Sequence, residues 1–399
     1  MIEKESLITV IEAEEIIFSH LYKSSIETIR LEDSLGRHTA SDWLADDDIP
    51  SYDRVMMDGI AIRFRKEQFG WKIIAIQRAG EEAGNLSSDE DAIEIMTGSV
   101  LPKGADTVVP YEHIVIDGSN ANFQGPDLKL GQNVHIRGRD KKQGDLLLKN
   151  GRQIRFTEMG LAASLGLTKI LVHSKPRIAI LSTGDELVLP EQKPMPHQIR
   201  MSNVYMLSGL LQQLDMAFNF QHVSDDGEAL EKAIEKLLNE NDVLLLSGGV
   251  SKGKFDLVPA TLMALGVEKH LHRIAQKPGK PFWFGTKDDK TVFGFPGNPV
   301  STLVCALRYF RPWVYKSFKE NTTEQWAISD YAFTRHKNLT QFIQVKCTQT
   351  SEDRFSVYPV DGGGSGDFTQ LSGSDGFVEI PSGVGVIADG ERLAFFGFF

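Results

Sequence analysis

Residues 242–256, DVLLLSGGVSKGKFD, carry an apolar stretch into a glycine-rich turn that closes on an acid. Glycine lets backbone N–H groups approach an anion closely, lysine adds positive charge, and a carboxylate can hold a divalent cation. Ser247, Gly248, Gly249 and Ser251 therefore form a candidate phosphate loop, with Lys252 and Lys254 as supporting charges and Asp256 as a candidate metal ligand. A nucleotide-binding P-loop is the rival reading, since Gly248, Gly253 and Lys254 satisfy the first part of its spacing. Phe255 stands where that motif needs a hydroxyl for magnesium, which argues against it. A surface turn with solvated lysines is the plain alternative.

Other segments repeat this logic. RIAILSTGDEL, 177–187, is a second apolar run ending on Asp185 and Glu186, and Asp225 and Asp226 follow a third. Such acids could serve a metal or acid–base chemistry, although Asp226 is also a natural helix cap. In QKPGKPFWFG, 276–285, Pro278 and Gly279 stiffen a loop that presents Lys277 and Lys280 together. Like charges held close repel, and a bound anion reconciles them. In FGFPGNPVS, 293–301, Pro296, Gly297, Asn298 and Pro299 make a rigid turn into a helix that contains Ser301, with N–H groups expected to point outward. Asp58 and Gly59 follow two methionines in SYDRVMMDGIAI, Thr97 opens TGSVLPKGADTVVPYE, and Asp140 sits among Arg137, Arg139, Lys141 and Lys142. By composition alone, each of these is an ordinary turn.

The elements that must position these residues follow from periodicity. The first forty-odd residues read as helical, with Ile8, Val10, Ile11, Ile16 and Ile17 on one face. From about 46 to 145, glycine, aspartate and short β-type runs at 71–76, 107–109 and 113–116 predict a separate β-rich module. A helix follows at 157–165, capped by Thr157 and stopped by Gly166. Between 177 and about 315, strands at 178–181, 218–223, 243–246, 271–274, 282–284 and 292–295 alternate with helices from Ser202 or Asn203, at 228–238, at 257–265 and from Pro299. Alternation of this kind predicts a mostly parallel, doubly wound sheet with helices on both faces, its loops emerging on one edge. Strands at 342–345, 355–357, 377–380 and 393–396 predict a small all-β end domain. The expected domains are 1–45 with 146–174, 46–145, 175–317 and 325–399.

Composition sets the outer bounds. A chain of 399 residues, 41% hydrophobic and 24% charged, suits a globular protein of several domains. A net charge of −11 argues against broad nucleic-acid binding and against docking on anionic lipid, so an anionic ligand needs a local cluster of lysines or metal. Cys305 and Cys347, far apart, indicate neither a disulfide framework nor a cysteine zinc site. With neither a secretory signal nor an apolar run of spanning length, the cytoplasm is the expected location.

Taken in order, these segments, together with GSGDFTQLSGSDGFVEIPSG at 364–383, resemble the molybdopterin molybdenumtransferase family, the MoeA proteins and the E domain of gephyrin. The resemblance implies an elongated homodimer of four-domain subunits. It also implies insertion of molybdenum from molybdate into adenylylated molybdopterin, with release of AMP and dependence on magnesium or another divalent cation. Molybdopterin adenylyltransferase and a non-catalytic dimeric scaffold are the alternatives, and the adenylyltransferase and recipient molybdoenzymes are the implied partners. Carried over by position, Asp58, Thr97, Asp140, Glu186, Asp226 and Asp256 correspond to acidic or polar cleft positions, of which Glu186, Asp226 and Asp256 would face metal. Ser247 to Ser251 correspond to the phosphate loop. Lys277, Lys280, Pro296, Pro299, Ser301 and Ser365 correspond to positions around molybdate or phosphate. The chain departs from the family at Lys252 and Lys254, which make the loop more positive, and at Ile60, where tyrosine is common.

Overall fold

The computed structural model describes residues 7–250, 257–319, 325–334, 338–349, 355–360 and 364–398. Its centre is a six-stranded sheet ordered Phe218–Val223, Ile178–Thr183, Val243–Ser247, Lys290–Phe295, Trp283–Lys287, Glu268–His272. The strands from 218–223 through 290–295 pair in parallel, and the last two strands run antiparallel. Alternate residues feed opposite faces, as the two-residue period of a strand requires. Ile178, Ile180, Val243, Leu245, Phe293 and Phe295 enter one core with the Asn203–Gln213 helix and the helices after Pro299. Ala179, Leu181, Leu244, Leu246 and Val292 enter the other. There the Gly227–Glu240 helix applies Leu230, Ala233, Ile234, Leu237 and Leu238, a single apolar stripe at helical spacing.

The expected strand at 271–274 lies earlier, at Glu268–His272. Its polar residues belong to a sheet edge, where one side needs no apolar cover. The helix from Pro299 is also not uniform: Pro299–Cys305 is α-helical, Ala306–Phe310 is a π-turn, and Arg311–Ser317 resumes the α-helix.

Among the described residues, the helical expectation for the first forty-odd residues holds as α-helix only for Val10–Phe18, with a single 3-10 turn at Leu31–Asp33. Thr9 and Glu12 close a capping box there, with Glu12 N–H donating to Thr9 Oγ1 at 3.2 Å and Thr9 N–H to Glu12 Oε2 at 2.7 Å. Val10, Ala13 and Ile17 seat this helix on the core of the central sheet. Beyond it the sequence IETIR alternates and is rich in β-branched residues, so Ile26–Arg30 is a strand, paired antiparallel with Lys169–His173. A small core of Trp43, Leu148, Ile154, Ala162, Ile170 and Val172 joins these strands to the Phe156–Ser164 helix.

Between the two halves of that unit, the chain makes a six-stranded sheet ordered Thr107–Pro110, Gly59–Ile62, Asp91–Ile95, Gly70–Gln77, Asn120–Phe123, Ile114–Asp117. Ile60 is fully buried in it, paired with Val109 and Glu94. The end domain is a closed barrel. Thr340–Gln349 pairs with Phe355–Pro359 and Gly376–Ile380, and Gln325–Ser329 and Arg392–Gly397 complete the ring. Closure removes the sheet edges that would otherwise invite pairing with other chains.

Two connections bind the barrel to the centre. Gln276–Lys277 adds to the barrel in parallel, with Gln276 opposite Thr340 and Lys277 opposite Gln341. Arg308, in the π-turn, donates from Nη2 to Glu14 Oε2 at 2.7 Å and from Nε to Glu379 Oε2 at 2.8 Å. This largely buried cation thus ties the first helix and the barrel to one turn of the central domain.

Candidate functional site

Four strand ends converge on one edge of the central sheet. Ile178–Thr183 releases Gly184, Asp185 and Glu186, and Phe218–Val223 leads to Asp225. Val243–Ser247 opens into Gly248 and Gly249, and Lys290–Phe295 into Pro296 and Gly297. Between them lies a cavity of about 270 Å³ lined by Thr183, Gly184, Glu186, Asp225, Leu230, Gly248, Gly249, Val250, Leu257, Val258, Pro281, Pro296 and Gly297. The carboxyl edge of a parallel sheet is where open α/β folds bind ligands.

Glycine is required on this wall. Gly248 and Gly249 have φ of +93° and +66°, in the region that favours glycine. A Cβ on Gly249 would lie 2.8 Å from Val258 Cγ2, and one on Gly184 would lie 2.5 Å from the Glu186 carboxylate. Thr183 Oγ1 donates to Asp225 Oδ1 at 3.2 Å, and Asp225 N–H to Asp185 Oδ1 at 3.1 Å, so the acids of two strand ends are held in mutual register.

Two functional candidates escaped the sequence reading in this role. Asn203 Nδ2 donates to Ser247 Oγ at 3.1 Å and to the Gly297 carbonyl at 2.7 Å, tying the third strand end to the fourth. Its sequence signal was an amide at a helix start, which reads as a cap, but it makes no such bond. Asn203 Oδ1 and Ser182 Oγ are buried at this edge with no hydrogen-bond partner among the described residues. Buried polar atoms left open in a folded protein await water or a ligand.

The predicted residues divide. Glu186, Gly248, Gly249 and Pro296 line the cavity. Ser247 is buried at its base, accepting the Asn203 bond. Asp226 does not line it: Oδ1 accepts from Ala229 N–H at 2.8 Å as the cap of the Gly227–Glu240 helix, and the neighbouring Asp225 faces the cavity instead. Ser251 and Asp256, with Lys252 and Lys254, lie outside the described residues. Lys277 is exposed and Lys280 half-buried, neither side chain with a hydrogen-bond or ion-pair partner among the described residues, and Lys280 immediately precedes the cavity-lining Pro281.

Pro299 occupies the first turn of its helix and Ser301 is buried within it. The N–H groups of that turn are not all open: Val300 N–H donates to the Ser365 carbonyl at 3.3 Å, and Asn298 Nδ2 donates to Ser365 Oγ at 2.9 Å. Ser365 therefore brings the loop before the barrel's 376–380 strand onto the cavity's proline turn.

Asp58, Thr97 and Asp140 do not line this cavity, and none of its described lining residues comes from 46–145. Asp58 Oδ1 accepts from Thr97 Oγ1 at 2.7 Å and from Thr97 N–H at 2.6 Å, and these bonds hold its carboxyl below the usual carboxylate range. Asp140 Oδ1 meets His135 Nε2 at 2.9 Å. Arg137 nearby is occupied by Asp47 and Asp48. Among the described residues, no group of three or more His, Cys, Asp or Glu side chains is arranged to hold a metal ion.

Three family models match the chain in succession: the MoeA N-terminal region (domain I and II) over 8–166, a probable molybdopterin binding domain over 179–316, and the MoeA C-terminal region (domain IV) over 327–396. A molybdopterin molybdenumtransferase of Synechocystis sp. is 37% identical, covering 98% of this chain and 100% of that protein. Another, of Haemophilus influenzae, is 33% identical over 74% of each chain. A solved molybdopterin biosynthesis MoeA protein from Pyrococcus horikosii superposes with a TM-score of 0.82 at 30% identity, covering 99% of this chain and 100% of that one.

Proposed function

The chain belongs to the molybdopterin molybdenumtransferase family of MoeA proteins, and from that premise we propose that it inserts molybdenum from molybdate into adenylylated molybdopterin and releases AMP. The observation that carries this reading is the cavity where glycine N–H groups, two carboxylates and a proline turn meet, with the turn bearing Lys277 and Lys280, unpartnered among the described residues, leading into its Pro281 wall. A phosphate-linked nucleotide needs those groups: N–H donors at Gly248 and Gly249, with Ser247 before them and Ser251 two residues on in sequence, and cationic charge at Lys277 and Lys280. Pro296, Pro299, Ser301 and Ser365 make up the side on which molybdate is received.

Magnesium fits this donor set. It binds through one or two carboxylates and substrate phosphates rather than a full protein cage, and Glu186 and Asp225 stand on the wall as such a pair. These two would hold it. When bound it supplies charge neutralisation for the pyrophosphate. Asp225 takes the role expected of Asp226, whose carboxylate serves the helix.

The separation of Asp58, Thr97 and Asp140 from the cavity of their own chain supports a homodimer in which each cavity is completed by the β module of the second copy. The division into 1–45 with 146–174, 46–145, 175–317 and 325–399 suits that arrangement, since the module is inserted as a unit. Work in the cytoplasm, receipt of substrate from the adenylyltransferase and delivery to molybdoenzymes complete the proposal. Among the described residues no helix is long and apolar enough to cross a membrane.

The test is chromatographic. Protein incubated with adenylylated molybdopterin, molybdate and magnesium should release AMP in proportion to molybdenum bound to product. No AMP release, or incorporation of AMP from ATP into molybdopterin, would sink the reading.

A further inference from the structure

The turn that presents Lys277 and Lys280 rests on a buried polar pedestal. Gln276 and Cys305 have no exposed surface and Tyr309 has none, yet all three polar ends gather beneath this turn. Gln276 Nε2 donates to the Pro278 carbonyl at 3.1 Å and lies 3.6 Å from Cys305 Sγ. Cys305 Sγ donates to the Gly279 carbonyl at 3.7 Å, and the Tyr309 hydroxyl donates to Gln276 Oε1. The two carbonyls between the lysines are therefore both gripped from the interior.

Each bond depends on the one beneath it. A glutamine amide has an accepting and a donating end, and the Tyr309 hydroxyl on the accepting end leaves the donor aimed at Pro278. Gly279 sits at φ +89°, and a Cβ there would lie 2.6 Å from Gln276 Nε2 and 2.8 Å from Cys305 Sγ, so the turn touches the pedestal with no side chain between. Tyr309 reaches this position from the π-turn, and insertions of that kind recur at functional sites.

The direction of the grip has a chemical consequence. Peptide carbonyls turned outward would face an anion with negative charge, and holding them inward leaves the lysines as the groups an anion meets. We propose that Gln276, Tyr309 and Cys305 are positioning residues for the anion site, fixing the Lys277–Lys280 turn so that both ammonium groups serve one phosphate or molybdate oxyanion. This rests on the reading of those lysines as substrate-binding.

Calorimetric binding of inorganic pyrophosphate to the full-length protein tests it without requiring turnover. Tyr309→Phe keeps the ring packed against Phe282, whose centroid is 5.2 Å away, and removes the donor. It should weaken binding roughly tenfold, the scale of a small misplacement of binding groups. Cys305→Ser retains a donor and should bind like the parent, whereas Cys305→Ala should not. In a Lys277→Ala background the effect of Tyr309→Phe should shrink to within about twofold, because a turn without its lysine has less to position. An undiminished effect in that background, or unchanged affinity in Tyr309→Phe, overturns the proposal. If Lys277→Ala itself leaves pyrophosphate binding intact, the lysine assignment falls and the pedestal role with it. Absence of AMP release alongside a non-additive cycle would instead reject the enzymatic reading and leave the pedestal standing.

Discussion

At adjacent positions, Asp225 and Asp226 have different occupations. Asp226 accepts the third N–H of its helix, and Asp225 faces the cavity, held by Thr183. Asn caps a helix as well as Asp does, so Asp226→Asn should keep both thermal stability and turnover near the parent values. Asp225→Asn and Glu186→Gln should each lower turnover by roughly tenfold to a hundredfold and raise the magnesium needed for half-maximal rate. Steady-state AMP release against magnesium concentration checks all three, and an inactive Asp226→Asn beside an active Asp225→Asn would reverse the assignment. The sequence made the glycines and the proline turn legible, because their backbone demands are written in residue type. Which of two neighbouring acids turns into the cavity was not legible, since it depends on where the helix begins to wind. Nor was Asn203, whose partners are 44 and 94 residues away.

The elements were legible in proportion to how far local pattern and final packing agree. Phe218–Val223 has the bounds that alternation predicts, and the Gly227–Glu240 helix begins at the predicted cap. The Phe156–Ser164 helix shows where pattern gives out. Thr157 reads as its cap, yet Arg155 occupies that position and the Thr157 hydroxyl donates to Glu158 Oε2 at 2.9 Å. Glu158 Oε1 and Oε2 also accept from Arg155 Nη2 at 2.7 Å and Nε at 3.0 Å. The Arg155 guanidinium, aided by Thr157 and the Arg155 N–H, holds the Glu158 carboxyl down to about 2. An unfolded glutamate titrates near about 4.3, so the folded state binds this proton less readily than the unfolded chain. The resulting stabilisation is complete above that value and fades as pH falls toward about 2. Glu158→Gln should therefore lower the melting temperature at pH 7, with the deficit shrinking steadily below about pH 4.3. Melting curves on both proteins across that interval check it, and a deficit independent of pH would assign the loss to packing alone.

On the scale of the whole molecule, one cation joins what the chain separates by hundreds of residues. Arg308 holds Glu14 and Glu379, and removing a largely buried partner of this kind typically costs about 3–5 kcal/mol because the remaining charge stays desolvated. First helix, central domain and barrel are thus tied through one side chain, while the inserted module carries Asp58, Thr97 and Asp140 outside the cavity. If a second copy supplies that module, the active unit is shared between chains and complementation becomes possible. A subunit bearing Asp58→Asn keeps a sound cavity, and one bearing Glu186→Gln keeps a sound module. Unfolded, mixed in equal amounts and refolded, half the dimers should be hybrids, each with one site assembled wholly from parent residues. Activity should then recover to roughly one quarter of the parent level, although either variant alone remains near its own low value. Sites built within single chains would show no recovery, because every cavity would keep its own defect. A mixture no more active than the mean of its components, with hybrids verified by mass, would place each site within one chain, whereas an Asp58→Asn variant as active as the parent would place the module's acids outside the chemistry and return the active site to the central sheet alone.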